Sequence, residues 1–388
     1  MLRRTLRNIL SLQQVSFSRP IRGVYVQTPP QSIQRVIQSC RSFGGLPTVL
    51  LPPVVFTGLF IALWIWKCTM MIIFQNKIIY MPGLPPNARR ETIAEYANQC
   101  NGISWREERI KSLDGTIISL CVASVKNPGL VARNVYILYF QGNASSLPPR
   151  LPFLSPVLRI LSDRGPNVQY TMVCCSYRGY WTSKGRPSEK GITLDAAASL
   201  DWIRRDFLQL GCTSKDEITV VIWGQSIGAG VATTLASQYH LFANSRPSSE
   251  PSLSLQTLIL ETPFLSIKVM LQTLYPQKWL PYRYLWPFLW NHFDSFAALR
   301  FLKNKSQIAG GRLPNVVIIE AGKDELVPGE HGLVLERRCR ELGLRADRMI
   351  VPGALHTGVL AREEGRSAVV WAIEGTERGG SVSDGGLG

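Results

Sequence analysis

Short runs of uninterrupted apolar residues recur along the chain, and between them apolar residues fall at helical spacing. The runs 135–140, 169–176, 218–223, 254–261 and 315–321 are rich in Val, Ile, Leu and aromatic residues. Such runs predict strands buried on both faces. Ahead of them, 108–112 and 116–125 flank Asp114-Gly115, a tight hairpin turn. Between the second and third apolar runs, Ala196, Leu200, Ile203 and Phe207 form one stripe, which predicts a helix over 193–208 with Thr193 as its cap. A last strand-like run covers 348–351. Strands apolar on both faces and separated by helices predict an α/β protein, with a mostly parallel central sheet and helices on both faces. No internal repeat interrupts the alternation.

The longest apolar stretch lies earlier. "LPTVLLPPVVFTGLFIALWIWKCTMMIIF" contains a single charge, Lys67. A helix over 54–74, with Pro53 in the first helical position, rises about 31 Å, enough to cross the hydrocarbon core of a bilayer. It is apolar around its whole circumference, which core helices rarely are over such a length. Trp64 and Trp66 suit a membrane interface, and Lys67 must extend outward to water. Arg35 and Arg41 on one side balance Lys67 and Lys77 on the other, so charge leaves the orientation open. The expected organisation is a basic N-terminal tail or targeting segment over 1–45 and a transmembrane anchor over 46–75. A linker over 76–90, an α/β domain over 91–375 and a flexible tail over 376–388 follow.

A net charge of +16 over 388 residues suggests a nucleic-acid partner until it is located. No Asp or Glu precedes Glu91, whereas nine Arg and two Lys do, so eleven of the sixteen charges sit in that segment. The aromatics of the remaining chain are not interleaved with basic runs, and no nucleic-acid partner is expected. In "MLRRTLRNILSLQQVSFSRP", Leu2, Leu6 and Ile9 share one helical face, with Arg3, Arg4 and Arg7 on another. The segment reads either as a mitochondrial transit peptide or as a basic tail ahead of the anchor. The expected location is therefore a single-pass membrane protein, of the endoplasmic reticulum and endomembranes or of a mitochondrial membrane. Eight cysteines are scattered without C-x-x-C or Cys–His spacing, so no metal and no cofactor is predicted.

Chemistry concentrates at "ITVVIWGQSIGAGVA". An apolar run ends in Gly224-Gln225-Ser226-Ile227-Gly228 and continues as a helix of small residues. A Gly-x-Ser-x-Gly between a buried strand and a helix is a nucleophile elbow: only small residues fit beside the exposed Ser226. A serine hydroxyl needs a base to take its proton and an acid to orient that base, in the chain order Ser, acid, His. Of four histidines, only His356 lies in a loop after the last strand-like run. Asp324 follows the buried run 315–321 and is the favoured acid; Glu261, at the end of the preceding run, is the alternative. An oxyanion hole would take one backbone donor from Ile227 and one from the loop "YFQGNASS", at Gly142 and Asn143.

With these stretches in place, the chain from about residue 74 to 359 resembles the bud-emergence-type α/β-hydrolases. These are membrane-anchored proteins of fungi with animal relatives that include protein depalmitoylases. The resemblance rests on "FQNKIIYMPGLPPNARRE", "YFQGNASS", "SYRGYWTSKGRPSEKGITLDAAASLDWI", "WGQSIGAGVA", "LETPFLSI", "GKDELVP" and "GALHTGV". It implies the α/β-hydrolase fold, with Ser226 as nucleophile, Asp324 as acid and His356 as base. Two departures stand out: Gln141 where a His usually precedes the Gly-Asn of the oxyanion loop, and Trp181 where a Gly usually follows Arg178-Gly179-Tyr180.

Between "LETPFLSI" and Asp324 lies a short insertion crowded with aromatics, including Trp279, Trp286, Phe288 and Trp290. One reading is a lid beside the membrane that suits a long acyl chain, with Trp286 and Trp290 touching substrate. The other is that the rings bury a helix or face the bilayer surface. The expected activity is hydrolysis of acyl thioesters or esters, on lipid or acyl-protein substrates, by a membrane-anchored serine hydrolase. The alternatives are a hydrolase-fold scaffold or polarity factor with dispensable catalysis, and a serine peptidase.

Overall fold

The apolar runs form one sheet. In a computed structural model, described for residues 48–125, 131, 133–165, 167–211, 217–244, 251–309 and 313–375, its strands are β1 (Arg106–Lys111), β2 (Ile117–Ser124), β3 (Arg133–Phe140) and β4 (Val168–Ser176), then β5 (Glu217–Gln225), β6 (Ser252–Glu261), β7 (Asn315–Ala321) and β8 (Ala346–Val351). Their order across the sheet is β1-β2-β4-β3-β5-β6-β7-β8. β2 runs antiparallel to both of its neighbours, and every other pairing is parallel. The Asp114-Gly115 turn joins β1 to β2 as expected, with Gly115 in the left-handed region at φ +83°.

The chain divides into two compact units, Met1–Leu63 and Trp64–Gly388. The helix α1 (Leu51–Ile73) includes the boundary between them. It begins three residues earlier than expected, with Pro52 and Pro53 in its first turn, where missing N–H groups cost nothing. Among the described residues it is the one helix long and apolar enough to cross a membrane, and none of it is buried. The basic tail with Cys40, the tail over 376–388 and Cys212 lie outside the described residues.

Within the second unit, α2 (Gln75–Tyr80) follows at once, and the stretch read as a linker over 76–90 is packed against the domain. Tyr80 and Ala88 are buried, and the Arg89 guanidinium donates to the carbonyls of Trp181 and Ser183. The linker reading fails because its Pro, Gly and Asn residues make tight turns here, with Asn87 at φ +71°.

The remaining helices of eight residues or more are α3 (Leu151–Arg164), α4 (Glu189–Gln209), α5 (Ile227–Asn244), α6 (Ile267–Leu274), α7 (Ser295–Ala309), α8 (Glu330–Glu341) and α9 (Glu363–Glu374). Ala196, Leu200, Ile203 and Phe207 of α4 are all buried, as their spacing predicts. The helix starts earlier than expected, however, because Ser188 is its cap and accepts the Gly191 N–H at 3.2 Å. Thr193 lies inside it and donates to the Glu189 carbonyl at 2.9 Å.

Alternate residues of the strands enter two separate cores. Leu120, Tyr136, Leu138 and Ile222 join α4, α5, α7 and α8 on one face; Cys121, Ile137, Tyr139 and Trp223 join α3 and α9 on the other. With both faces covered, side-chain-bearing loops remain only at the strand ends, and ligand sites in such sheets form beyond the carboxyl ends.

Candidate active site

Ser226 sits where β5 turns into α5, at φ +53°. That left-handed conformation is unfavourable for a serine and persists only where surroundings impose it. Here they do: the Ser226 N–H donates to the Glu261 carbonyl at 2.8 Å, and the Ala229 N–H returns to the Ser226 carbonyl at 2.9 Å. The flanking glycines follow from contact. A Cβ on Gly224 would stand 2.0 Å from the Gly228 carbonyl oxygen, and one on Gly228 would stand 2.2 Å from that of Phe140. Both obstacles are backbone, so neither position admits a side chain.

His356, in the loop after β8, reaches Ser226 from the other side. Its Nε2 lies 2.9 Å from Ser226 Oγ, and its Nδ1 lies 2.8 Å from Asp324 Oδ2 and 3.0 Å from Oδ1. With Nδ1–H donated to the carboxylate, Nε2 is left to accept from the serine hydroxyl. Asp324 follows β7 and is itself fixed, Oδ1 accepting the N–H groups of Leu326 at 2.9 Å and Val327 at 2.8 Å. Burial works against its charge, but the hydrogen bonds from His356 and those two amides outweigh it and hold the carboxyl below its ordinary range.

Glu261, the alternative acid, is bonded elsewhere. Its carboxylate accepts the Trp223 indole N–H at 3.0 Å, beneath the elbow. Complete burial pushes it up to about 7, against the lowering influence of Arg150, the Trp223 bond and His356.

Gly142 and Asn143, the expected oxyanion-loop residues, lie beside Ser226. A Cβ on Gly142 would come within 3.7 Å of Ser226 Cβ, and Asn143 and Ile227 line one cavity with Ser226 and His356. Among the described residues, the N–H groups of Gly142 and Asn143 have no hydrogen-bond partner. The loop is held from behind: Ala144 and Ser145, both at positive φ, donate to the carbonyls of Tyr80 and Leu84. The turn after α2 thus positions the loop. Gln141 is buried with neither side-chain amide atom partnered, while its carbonyl accepts the Tyr177 hydroxyl at 2.7 Å. Trp181 is at φ +40°, which accounts for the glycine usual there; its indole N–H donates to the Glu91 carbonyl. Neither Gln141 nor Trp181 lines the cavity.

That cavity has a volume of about 360 Å³, within the range of ordinary ligand sites. Its walls are apolar: Ile72 and Ile79 from the ends of α1 and α2, Phe264, Met270 and Leu271 around α6, and Leu289 from the aromatic insertion. Ser226, His356, Asn143, Gln75 and Tyr275 are the polar residues among its lining. Trp286 and Trp290 are not brought to it. They are 40% and 62% exposed, and their neighbours Leu285, Phe288 and Leu289 contribute the wall instead.

Sequence reasoning missed the share of α2. Gln75, buried, donates to the carbonyls of Ile72 at 3.0 Å and Phe288 at 3.1 Å, and accepts the Trp290 N–H at 2.7 Å. One polar residue directly after a long apolar run was the available signal.

The strand order, the antiparallel second strand and the Gly-x-Ser-x-Gly turn between β5 and α5 define an α/β-hydrolase fold. A bacterial heroin esterase of known structure shares it, with a TM-score of 0.51 and 19% identity over 75% of this chain and 91% of that one. Within that class, the chain is related to the bem46-type family. It is 26% identical over 268 residues to Protein bem46 of Schizosaccharomyces pombe, 69% of this chain and 75% of that one. It is also 32% identical over 198 residues to the lysophosphatidylserine lipase ABHD12 of Danio rerio, but spans only 45% of that protein. No family model matches the chain.

Proposed function

We propose that this protein is a membrane-anchored serine hydrolase that cleaves long-chain acyl esters or thioesters. The observation that carries the reading is the hydrogen-bonded line Ser226–His356–Asp324 opening onto an apolar cavity. A relative named as a lipase, ABHD12, supports the same chemistry.

In this reading, Ser226 Oγ bonds to the acyl carbonyl carbon while its proton passes to His356 Nε2. The carbonyl π electrons move to oxygen, and the oxyanion takes hydrogen bonds from the Ile227 amide and the Gly142–Asn143 loop. Asp324 stabilises the imidazolium without taking its proton. Collapse expels the alcohol or thiol, which leaves with the proton from His356. Water then attacks the acyl-enzyme, giving its proton to His356, and collapse releases the fatty acid as His356 returns that proton to Ser226 Oγ.

The anchor is α1, which has the length and composition of a single span. Fluorophosphonate labelling of the full chain in membrane fractions tests the reading. Wild type is expected to label and Ser226→Ala to remain unlabelled, with turnover rising along a series of esters of increasing acyl length. A folded wild type that neither labels nor hydrolyses any ester or thioester overturns it.

A further inference from the structure

One surface of the second unit is apolar, aromatic and basic together. The insertion between α6 and α7 exposes Trp279 by 67%, Phe288 by 55% and Trp290 by 62%. Cations lie over rings of the same region: Lys268 3.8 Å from the Trp286 ring, Lys67 4.7 Å from Tyr282, and Lys77 5.2 Å from Phe74. Not one Asp or Glu occurs from Thr262 to Phe293, nor from Trp64 to Arg90. Lys268 of α6, and Lys278 and Arg283 of the insertion, therefore have no acid within their own segment.

The cavity opens on this surface. Ile78, Leu274, Phe288 and Leu326 line it and are each about half exposed, so they form its rim. Phe288 belongs both to the rim and to the exposed aromatic set, and the Trp64 and Trp279 rings, 5.9 Å apart, join that set to α1. An exposed apolar rim of this extent in water marks a site of interaction. Its chemistry selects the occupant. Amphipathic rings settle at the headgroup level of a bilayer, and unopposed Lys and Arg meet anionic headgroups. The helix that supplies Ile72 to the cavity wall is also the one with the length to span a membrane.

We propose that this face is a lipid-binding surface seated on anionic phospholipid headgroups. Through the rim of Ile78, Leu274, Phe288 and Leu326, an acyl chain passes from the bilayer to Ser226 without crossing water. The seating stands alone; the passage rests on the hydrolase reading above.

The test uses the full chain reconstituted into phosphatidylcholine vesicles with and without phosphatidylserine, some lipids carrying bromine on their acyl chains. Indole emission of wild type is compared with that of a protein carrying Trp279→Phe, Trp286→Phe and Trp290→Phe. These three indoles are expected to account for part of the bromine-quenched emission, and more of it when phosphatidylserine is present. A second protein, with Lys268→Gln, Lys278→Gln and Arg283→Gln, is expected to hydrolyse a vesicle-borne long-chain ester several-fold more slowly. Its rate on a water-soluble acetate ester should stay at that of wild type. Quenching of the three indoles by aqueous acrylamide but not by brominated lipid overturns the seating. Equal loss on both esters, or on neither, overturns the passage. Absence of hydrolysis on either ester by wild type counts against the hydrolase reading instead, while the quenching still decides the surface.

Discussion

Ser226 Oγ and His356 Nε2 stand 2.9 Å apart although 130 residues separate them in the chain. The elbow after β5 holds one partner and the loop after β8 holds the other, with Asp324 after β7 bracing the ring. On the proposed hydrolase reading, these three strand ends form one relay that is sensitive to each of its members. Asp324→Asn should keep the fold and cut kcat on a soluble ester by about 10⁴-fold, because the imidazole loses its orientation and its counter-charge. Ser226→Ala should retain only the slow hydrolysis that binding and the oxyanion donors provide. Steady-state kinetics beside a thermal-unfolding control measures both.

The glycines of the elbow are expected to behave unlike the glycine of the oxyanion loop. Gly224→Ala and Gly228→Ala drive a methyl into backbone oxygens at 2.0 and 2.2 Å. The cost should exceed the ~1–3 kcal/mol of ordinary overpacking, since a carbonyl in a sheet or helix cannot step aside. Little folded protein should accumulate. At Gly142 the nearest obstacle is the Gln225 side-chain oxygen at 3.4 Å, so Gly142→Ala should fold. Protease resistance of the three variants separates the cases.

Glu261 makes stability depend on pH. Its carboxyl is pushed from 4.5 up to about 7, so between those values the folded protein binds a proton that the unfolded chain has released. Stability therefore falls as pH rises through that window, by about 3 kcal/mol in all, and the deficit is complete above it. Asp324 acts in the opposite sense and lower down: held below its ordinary 3.8, it contributes stability that is lost only as pH falls beneath that value. Glu261→Gln can still accept the Trp223 indole N–H. It should unfold at a higher temperature than wild type above the window and at a similar one below it. Melting curves across the range would contradict this if the two proteins changed in parallel.

Gln75 fastens the aromatic insertion to α2 through the Phe288 carbonyl and the Trp290 N–H. Gln75→Leu leaves both groups without that partner, at about 1–3 kcal/mol for each buried one. Limited proteolysis should then cut within 275–290 faster than in wild type, and KM for a long-chain ester should rise as the cavity wall loosens. Unchanged cleavage would mean that the insertion is held by other contacts.

Much of this protein could be read from local pattern. Period and apolar runs located the parallel strands, because burial on both faces of a sheet leaves few polar residues to place. The elbow was legible because its steric demands act between neighbours in sequence, at Gly224, Ser226 and Gly228. Asp324 stood out from Glu261 in sequence because it lies just past a buried run rather than at the end of one, and it is Asp324 that lies against His356 Nδ1.

Other features depended on contacts between distant segments. Pro-rich composition over 76–90 suggested a linker, but Tyr80 and Leu84 accept hydrogen bonds from the oxyanion loop some sixty residues later. Nothing in the local sequence announces such a partner. Likewise, a crowd of aromatics cannot say which of them reach the cavity: Phe288 lines its rim, whereas Trp286 and Trp290 do not line it. Sequence by itself determined the strands and the turn at Ser226, since these follow from backbone sterics and short-range periodicity. Only the tertiary structure decided the distances among Ser226, His356 and Asp324, the elevated pKa of Glu261 and the shape of the cavity. Those depend on which surfaces meet, and meeting is a property of the packed whole.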